Sequence, residues 1–188
     1  MVKFKSLKNI LEIYMKIIIT GGSGFIGGCL IRKLLTFNNY KIFNIDKLGY
    51  ASNQAVIKQY FQNNKVSNST EYKLIKVDLF EKEEIERIVN QIRPNLIMHL
   101  AAESHVDRSI KSPKIFIESN IVGTFNLLEA SKVYFEKLTS SEKTNFKFHH
   151  ISTDEVYGSL GDDGIFDENT SYNPRSPYSA SKASSDHL

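Results

Sequence analysis

The 188-residue chain has no tryptophan, one cysteine, four prolines and no large excess of either charge sign. Each shortage excludes something. A lone Cys29 cannot close an internal disulfide, so the chain suits a reducing, cytoplasmic compartment rather than a secreted disulfide scaffold. Cys29 lies in an apolar stretch and is expected to be a buried small hydrophobe. No apolar run approaches the roughly 18 residues of a membrane-spanning helix, so no membrane partner is expected. With 24 basic and 21 acidic residues the net charge is +3, which supplies no electrostatic footprint for nucleic acid. Metal spacing is also missing. His149 and His150 are strand neighbours that point to opposite faces, and His99 and His105 read as packing or polar lining. Residues 1–14 precede a second methionine, Met15, and read as an N-terminal extension. They lack the apolar core of a secretory signal, and Glu12 without any arginine argues against a transit peptide.

Short β-branched runs alternate with helical spacing along the rest of the chain. Residues 16–20, 41–45, 72–77, 96–100 and 146–151 read as strands. Residues 25–37, 81–92 and 113–138 read as helices, with a further helix from Tyr178 behind Pro177. Residues 53–70 read as irregular, with at most one helical turn. The alternation implies an α/β, doubly wound parallel sheet of the Rossmann type over residues 15–188. The last helix has no stop signal, and only five strands are visible. The expectation is a domain cut within the Tyr-x-x-x-Lys helix, with a C-terminal substrate domain absent.

Gly21, Gly22, Gly24 and Gly27 follow the first strand and open the first helix. Glycines there permit a tight turn and close backbone approach to a pyrophosphate, which the helix N-terminus then attracts. Asp46 ends the second strand 19 residues after Gly27. A carboxylate at that point accepts from ribose hydroxyls and repels a 2′-phosphate, which favours NAD over NADP. Lys47 works against that preference, since a cation tolerates a phosphate. Asp78 reads either as an adenine-edge contact or as a helix N-cap.

Near the C-terminus stand Thr153, Asp154 and Glu155, then Tyr178, Ser181 and Lys182. Tyr178 and Lys182 share one helical face, and a lysine charge beside a phenol favours the phenolate. Adjacent carboxyl groups can divide acid and base roles.

These residues together resemble the extended short-chain dehydrogenase/reductases and, within them, the dTDP-glucose 4,6-dehydratase family. The likeness rests on Thr-Gly-Gly-Ser-Gly-Phe-Ile-Gly (20–27), His-Leu-Ala-Ala-Glu-Ser-His-Val-Asp-Arg-Ser (99–109) and Asn-Ile-Val-Gly-Thr (120–124). It rests equally on His-His-Ile-Ser-Thr-Asp-Glu-Val-Tyr-Gly (149–158) and residues 176–188. The Asp-Glu pair is the specific part; similar epimerases usually lack it, and GDP-mannose dehydratases tend to keep only the Glu. The resemblance implies NAD contacts at Phe25, Ile26, Asp46, Lys47, Leu48, Gly49, Asp78 and Leu79. It implies others at Leu100, Ala101, Ala102, Glu103, Ser104, Ser119, Tyr178 and Lys182. It makes Ser104 and Thr153 substrate contacts, Asp154 the acid, Glu155 the base and Tyr178 the oxidation base. It further implies a hydro-lyase acting on dTDP-glucose, NAD as a recycled cofactor and a homodimer. Two alternatives stand beside it: an inactive NAD-binding remnant, and a related nucleotide-sugar dehydratase or epimerase. Residues 1–188 alone are expected not to be a competent dehydratase, a separate C-terminal half being needed to complement them.

Overall fold

The computed structural model describes residues 14–37, 39–63, 72–161 and 163–188. The N-terminal extension, Tyr14 apart, lies outside the described residues, as does the Asn/Ser-rich stretch before Tyr72.

Three consecutive isoleucines set the centre of the fold. Alternate residues of a strand face opposite sides, so such a run must be covered on both faces. In β1 (Met15–Thr20), Ile17 and Ile19 pack with Ile31, Ile42 and Ile57, while Ile18 packs with Ile45, Ile85, Val89, Ile97 and Leu127. Each isoleucine so buried stabilises the fold by about 1.5–3 kcal/mol relative to exposure. β1 pairs in parallel with β2 (Tyr40–Asp46) and with β4 (Leu96–His99). β3 (Tyr72–Lys76) adds to β2 and β5 (Lys147–His150) to β4, giving the order β3-β2-β1-β4-β5. This is the doubly wound Rossmann sheet that the strand-helix alternation implied.

Helices α1 (Phe25–Leu34) and α2 (Gln54–Asn63) cover one face. Helix α3 (Lys82–Ile92) covers the other. It ends at Arg93, which turns into the left-handed region at φ 53° just before Pro94. A segment of α4 (Val106–Lys111), α5 (Pro113–Phe116), a π-helical turn (Ile117–Val122) and α6 (Gly123–Glu136) then runs back across that face. Helix α7 (Ser140–Asn145) precedes β5, a 3₁₀ turn (Asp154–Tyr157) follows it, and α8 (Pro177–Asp186) closes the described chain.

Several expectations need correction. Residues 54–63 form a ten-residue helix where irregular chain was expected, because Ile57 docks on Ile17, Ile19 and Ile42. Cys29 is exposed rather than buried: α1 turns Gly27, Gly28 and Ile31 inward and leaves position 29 on the solvent side. Asp78 is not the N-cap of α3. Its carboxylate instead accepts from the Phe80 N–H at 3.1 Å, and Glu81 occupies the cap position. Helix α7 was not anticipated, although Thr139 and Glu142 form a reciprocal capping box that the spacing Thr-x-x-Glu signals. The helix expected over residues 113–138 is interrupted by the π-helical turn, which contains Asn120.

Candidate active site

Strand order reverses between β1 and β4, and a crevice opens outside their carboxyl ends, the place where doubly wound sheets bind ligands. Here it is a cleft of about 410 Å³. Gly21 forms its floor with φ at 70°, and a Cβ there would sit 2.7 Å from the Ala101 backbone. Glycine is thus required both by conformation and by the passing chain. Gly27 lets α1 sit directly on this turn, since its Cβ would lie 2.4 Å from the Gly21 carbonyl oxygen. Gly24, at the N-cap, provides no side-chain cap, and the first turn of α1 holds no acidic residue. The free N–H groups and positive end of α1 therefore face the cleft, a fit for a pyrophosphate. Phe25 and Ile26 line it too and are largely exposed.

The second wall comes from the end of β2. Asp46 is buried and well held: its carboxylate accepts from Ser23 N–H at 2.9 Å, Leu48 N–H at 2.8 Å and Ser52 Oγ at 3.0 Å. Leu48, with φ at 61°, turns its amide back onto Asp46. It alone among the sequence-predicted cofactor residues does not line the cleft. Lys47 and Gly49 do, with Tyr50, Ala51 and Ser52 after them. Asp78 and Leu79 line the far side, where the cleft passes the end of β3.

The third wall, Leu100 to Ser104, leaves β4. Beneath it His99 is fully buried between two threonines. Its Nδ1 lies 2.7 Å from Thr20 Oγ1 and its Nε2 2.8 Å from Thr124 Oγ1. Thr124 donates its own hydrogen to the Asn120 carbonyl at 2.6 Å, so it accepts from His99, and the network assigns the proton of a neutral ring to Nε2. Burial drives the His99 pKa from 6.5 down to about 3, with the charges of His150 and Lys182 pushing the same way.

Asn120 joins this wall to α8. Its Oδ1 accepts from Glu103 N–H at 2.8 Å, and its Nδ2 donates to Glu103 O at 2.8 Å and to Ser181 Oγ at 2.9 Å. A π-helical turn admits one extra residue per turn, and here that residue's amide is directed out of the helix into three bonds. Asn120 carries no role in the sequence reading; a polar amide between Ile117 and Ile121 in a helical stretch was the signal available. Ser119, beside it, lines the cleft.

Ser176 caps α8 through a reciprocal box with Ser179, and Pro177 fills the first turn. The helix thereby presents Tyr178 and Lys182 to the cleft. Lys182 is buried, and its Nζ donates to Ile151 O at 2.8 Å. Burial lowers its pKa, against the pull of Asp186. Tyr178 departs from expectation. Burial raises its phenol above the usual range; a hydrogen bond with Thr153 opposes this, and Glu155, Asp154 and Asp186 add to the rise. Lys182 does not acidify the phenol in this arrangement, because its ammonium is directed to the end of β5.

Thr153, Asp154 and Glu155 lie beside the cleft rather than in its lining, linked to it by the Thr153–Tyr178 contact. Thr153 Oγ1 donates to Asp154 Oδ1 at 3.3 Å and accepts from Glu155 N–H at 3.3 Å. Asp186 was also missed as a site residue. Its carboxylate takes His150 Nε2 at 2.9 Å, Tyr172 Oη at 3.0 Å and the Ser152 hydroxyl, tying α8 to the strand end that carries the triplet. Among the described residues no cluster of three His, Cys, Asp or Glu side chains is placed to hold a metal, and no helix is long and apolar enough to cross a membrane.

A parallel sheet with a glycine turn, a carboxylate ending β2 and a Tyr-x-x-x-Lys helix at one crevice defines a dinucleotide-fold dehydrogenase or dehydratase class. The family model for GDP-mannose 4,6 dehydratase matches residues 18–188, and the chain belongs to that family. It is similar to the dTDP-glucose 4,6-dehydratase of Neisseria meningitidis serogroup B, 50% identical over 174 residues, covering 92% of this chain and 47% of that protein. Among solved structures it resembles the dTDP-glucose 4,6-dehydratase of Bacillus anthracis in complex with NAD, with TM-score 0.73 and 37% identity over 92% of this chain and 48% of that one. The dTDP-glucose 4,6-dehydratase of Streptomyces venezuelae, also with NAD bound, gives TM-score 0.76 and 34% identity over 92% and 50%. The chain spans about half the length of the relatives it matches.

Proposed function

We propose that this chain is the NAD-binding, proton-transferring part of a dTDP-glucose 4,6-dehydratase. The observation that carries the reading is the meeting at one crevice of the Gly21–Gly27 turn, Asp46, Tyr178 and Lys182, with Asp154 and Glu155 beside Tyr178. The relatives' names and the NAD in the similar structures support it. NAD, when bound, supplies reversible hydride acceptance. The pyrophosphate belongs at the α1 N-terminus, the adenosine ribose at Asp46 and the adenine edge near Asp78 and Leu79. Gly49, Leu100, Ala101, Ala102 and Ser119 complete its walls.

The chain's own groups then handle protons. Tyr178, as the phenolate that burial alone disfavours and the positive charge of bound NAD⁺ would favour, accepts the proton of the sugar 4-hydroxyl, with Thr153 sharing that hydrogen bond and Ser104 contacting substrate. Glu155 removes the C5 proton once C4 is a ketone, and Asp154 protonates the departing C6 oxygen, so water leaves. Lys182 holds the nicotinamide ribose side of the cleft. The Asp154-Glu155 pair favours this reading over an epimerase, which has no water to eliminate. Cytoplasmic location belongs to the same proposal, as does a homodimer, for which exposed Ile110, Ile117 and Phe125 on α4–α6 offer apolar surface.

The test complements the chain with the C-terminal half that it is expected to need, adds NAD⁺ and dTDP-glucose, and follows NADH absorbance. Glu155→Gln is expected to leave C4 oxidation intact and to accumulate NADH, whereas Tyr178→Phe should give none. Wild-type turnover in Glu155→Gln would remove that residue from the mechanism. A separate titration should show Asp46→Ala weakening NAD⁺ by about 1–3 kcal/mol, the scale of hydrogen bonds to a charged group. Unchanged affinity would place the ribose elsewhere.

A further inference from the structure

Lys47 follows Asp46 directly at the carboxyl end of β2, where a cation would meet the 2′-phosphate of NADP. A free ammonium there would undo the discrimination that Asp46 provides. It is not free. Lys47 Nζ lies 3.0 Å from Glu103 Oε1, across the cleft mouth, and the Glu103 side chain is only 9% exposed. Glu103 is fixed from behind, because Asn120 binds both its N–H and its carbonyl. The ammonium therefore comes to the carboxylate rather than the reverse. Partial burial strengthens such a pair relative to one in open water. Arg108 is engaged as well: its guanidinium lies 3.7 Å from the centroid of the ring of Tyr50, which lines the cleft.

We propose that Glu103 is a specificity-determining residue of the cofactor cleft: by holding Lys47, it keeps the ribose end negative and excludes a 2′-phosphorylated dinucleotide. The proposal rests on the NAD reading above. It gives Glu103 a role that neither the glycine turn nor the β2 carboxylate supplies, and it reconciles a lysine after Asp46 with a preference for NAD.

The test is calorimetric titration of the purified chain with NAD⁺ and with NADP⁺. The proteins are wild type, Glu103→Gln, Glu103→Ala and the double variant Lys47→Ala/Glu103→Gln, each checked for folding by its thermal melt. Releasing Lys47 in either Glu103 variant should narrow the NAD⁺-over-NADP⁺ preference by about tenfold or more, the worth of one charge-assisted hydrogen bond. The gain should come mainly as tighter NADP⁺. The double variant should recover the wide preference, since the freed cation is gone and Asp46 remains. An unmoved preference in both Glu103 variants overturns the assignment, and so does a double variant as permissive as the single. NAD⁺ binding with an unmoved preference removes this proposal and leaves the NAD reading standing. A wild-type chain that binds neither dinucleotide overturns both.

Discussion

Acidification from pH 7 to pH 4 is expected to destabilise the folded chain steeply, with His99 contributing about 1.4 kcal/mol per pH unit once the pH is below its unfolded-state value of 6.5. In the folded protein the ring stays neutral down to about pH 3. In the unfolded chain it takes up a proton near 6.5. Between those values the unfolded state binds the extra proton, so stability is complete above the window and falls as pH falls through it. Below about 3 both states are protonated and this loss stops growing. The bonding network explains why the folded ring resists. Nδ1 accepts from Thr20, whose oxygen also accepts from Ala101 N–H at 3.2 Å, so a second ring proton would find Thr20 turned the wrong way. His150 acts in the same direction: burial lowers its pKa, Lys182 adds to the effect, and Asp186 opposes it. Urea unfolding of wild type and His99→Gln at several pH values separates the two histidines. The variant should be less stable at pH 7 and should lose about one proton's worth of slope between pH 6 and pH 4. Equal slopes would show that another group governs the acid transition.

Gly21→Ala is expected to be strongly damaging, costing about 3–5 kcal/mol from overpacking together with left-handed strain. The added Cβ meets the Ala101 Cα and N at 2.7 Å and the Leu100 carbonyl carbon at 2.9 Å, all of them backbone that cannot rotate away. Relief requires parting the ends of β1 and β4, which also spoils the cleft. The same variant should therefore lose dinucleotide binding along with stability. Urea midpoints and NAD⁺ titration measure the two losses. Gly28→Ala is the matched control, because its Cβ finds nothing closer than the Arg32 guanidinium at 3.5 Å. Equal behaviour of the two variants would show that the Gly21 turn yields more readily than its contacts imply.

Local chemistry accounts for what was legible in the sequence. Ile17–Ile19 reads as a strand covered on both faces and the glycines after Thr20 as a tight turn, and both are found. Pro177 with Ser176 announces the start of α8, and the four-residue spacing puts Tyr178 and Lys182 on one side of it. The five strands and their parallel sense follow from such signals, as do the glycine turn, Asp46, Tyr178 and Lys182; most other cleft-lining positions came from the family resemblance.

Contacts between distant segments decided the rest. Whether residues 54–63 become helix depends on a place for Ile57 against β1 and β2, which their polar composition does not reveal. The π-helical turn carries Asn120, which reaches Glu103 and Ser181, 17 and 61 residues away. Lys182 shares a helical face with Tyr178, yet the carbonyl of Ile151 takes its ammonium, and burial raises the phenol that spacing alone would have made acidic. Lys47 has a charge that the sequence shows and a partner, Glu103, that only the closed sheet supplies. Sequence by itself determined which groups are present and which local shapes they take. Tertiary structure alone decided their charges and partners, since burial and the meeting of remote side chains arise only once the strands are side by side.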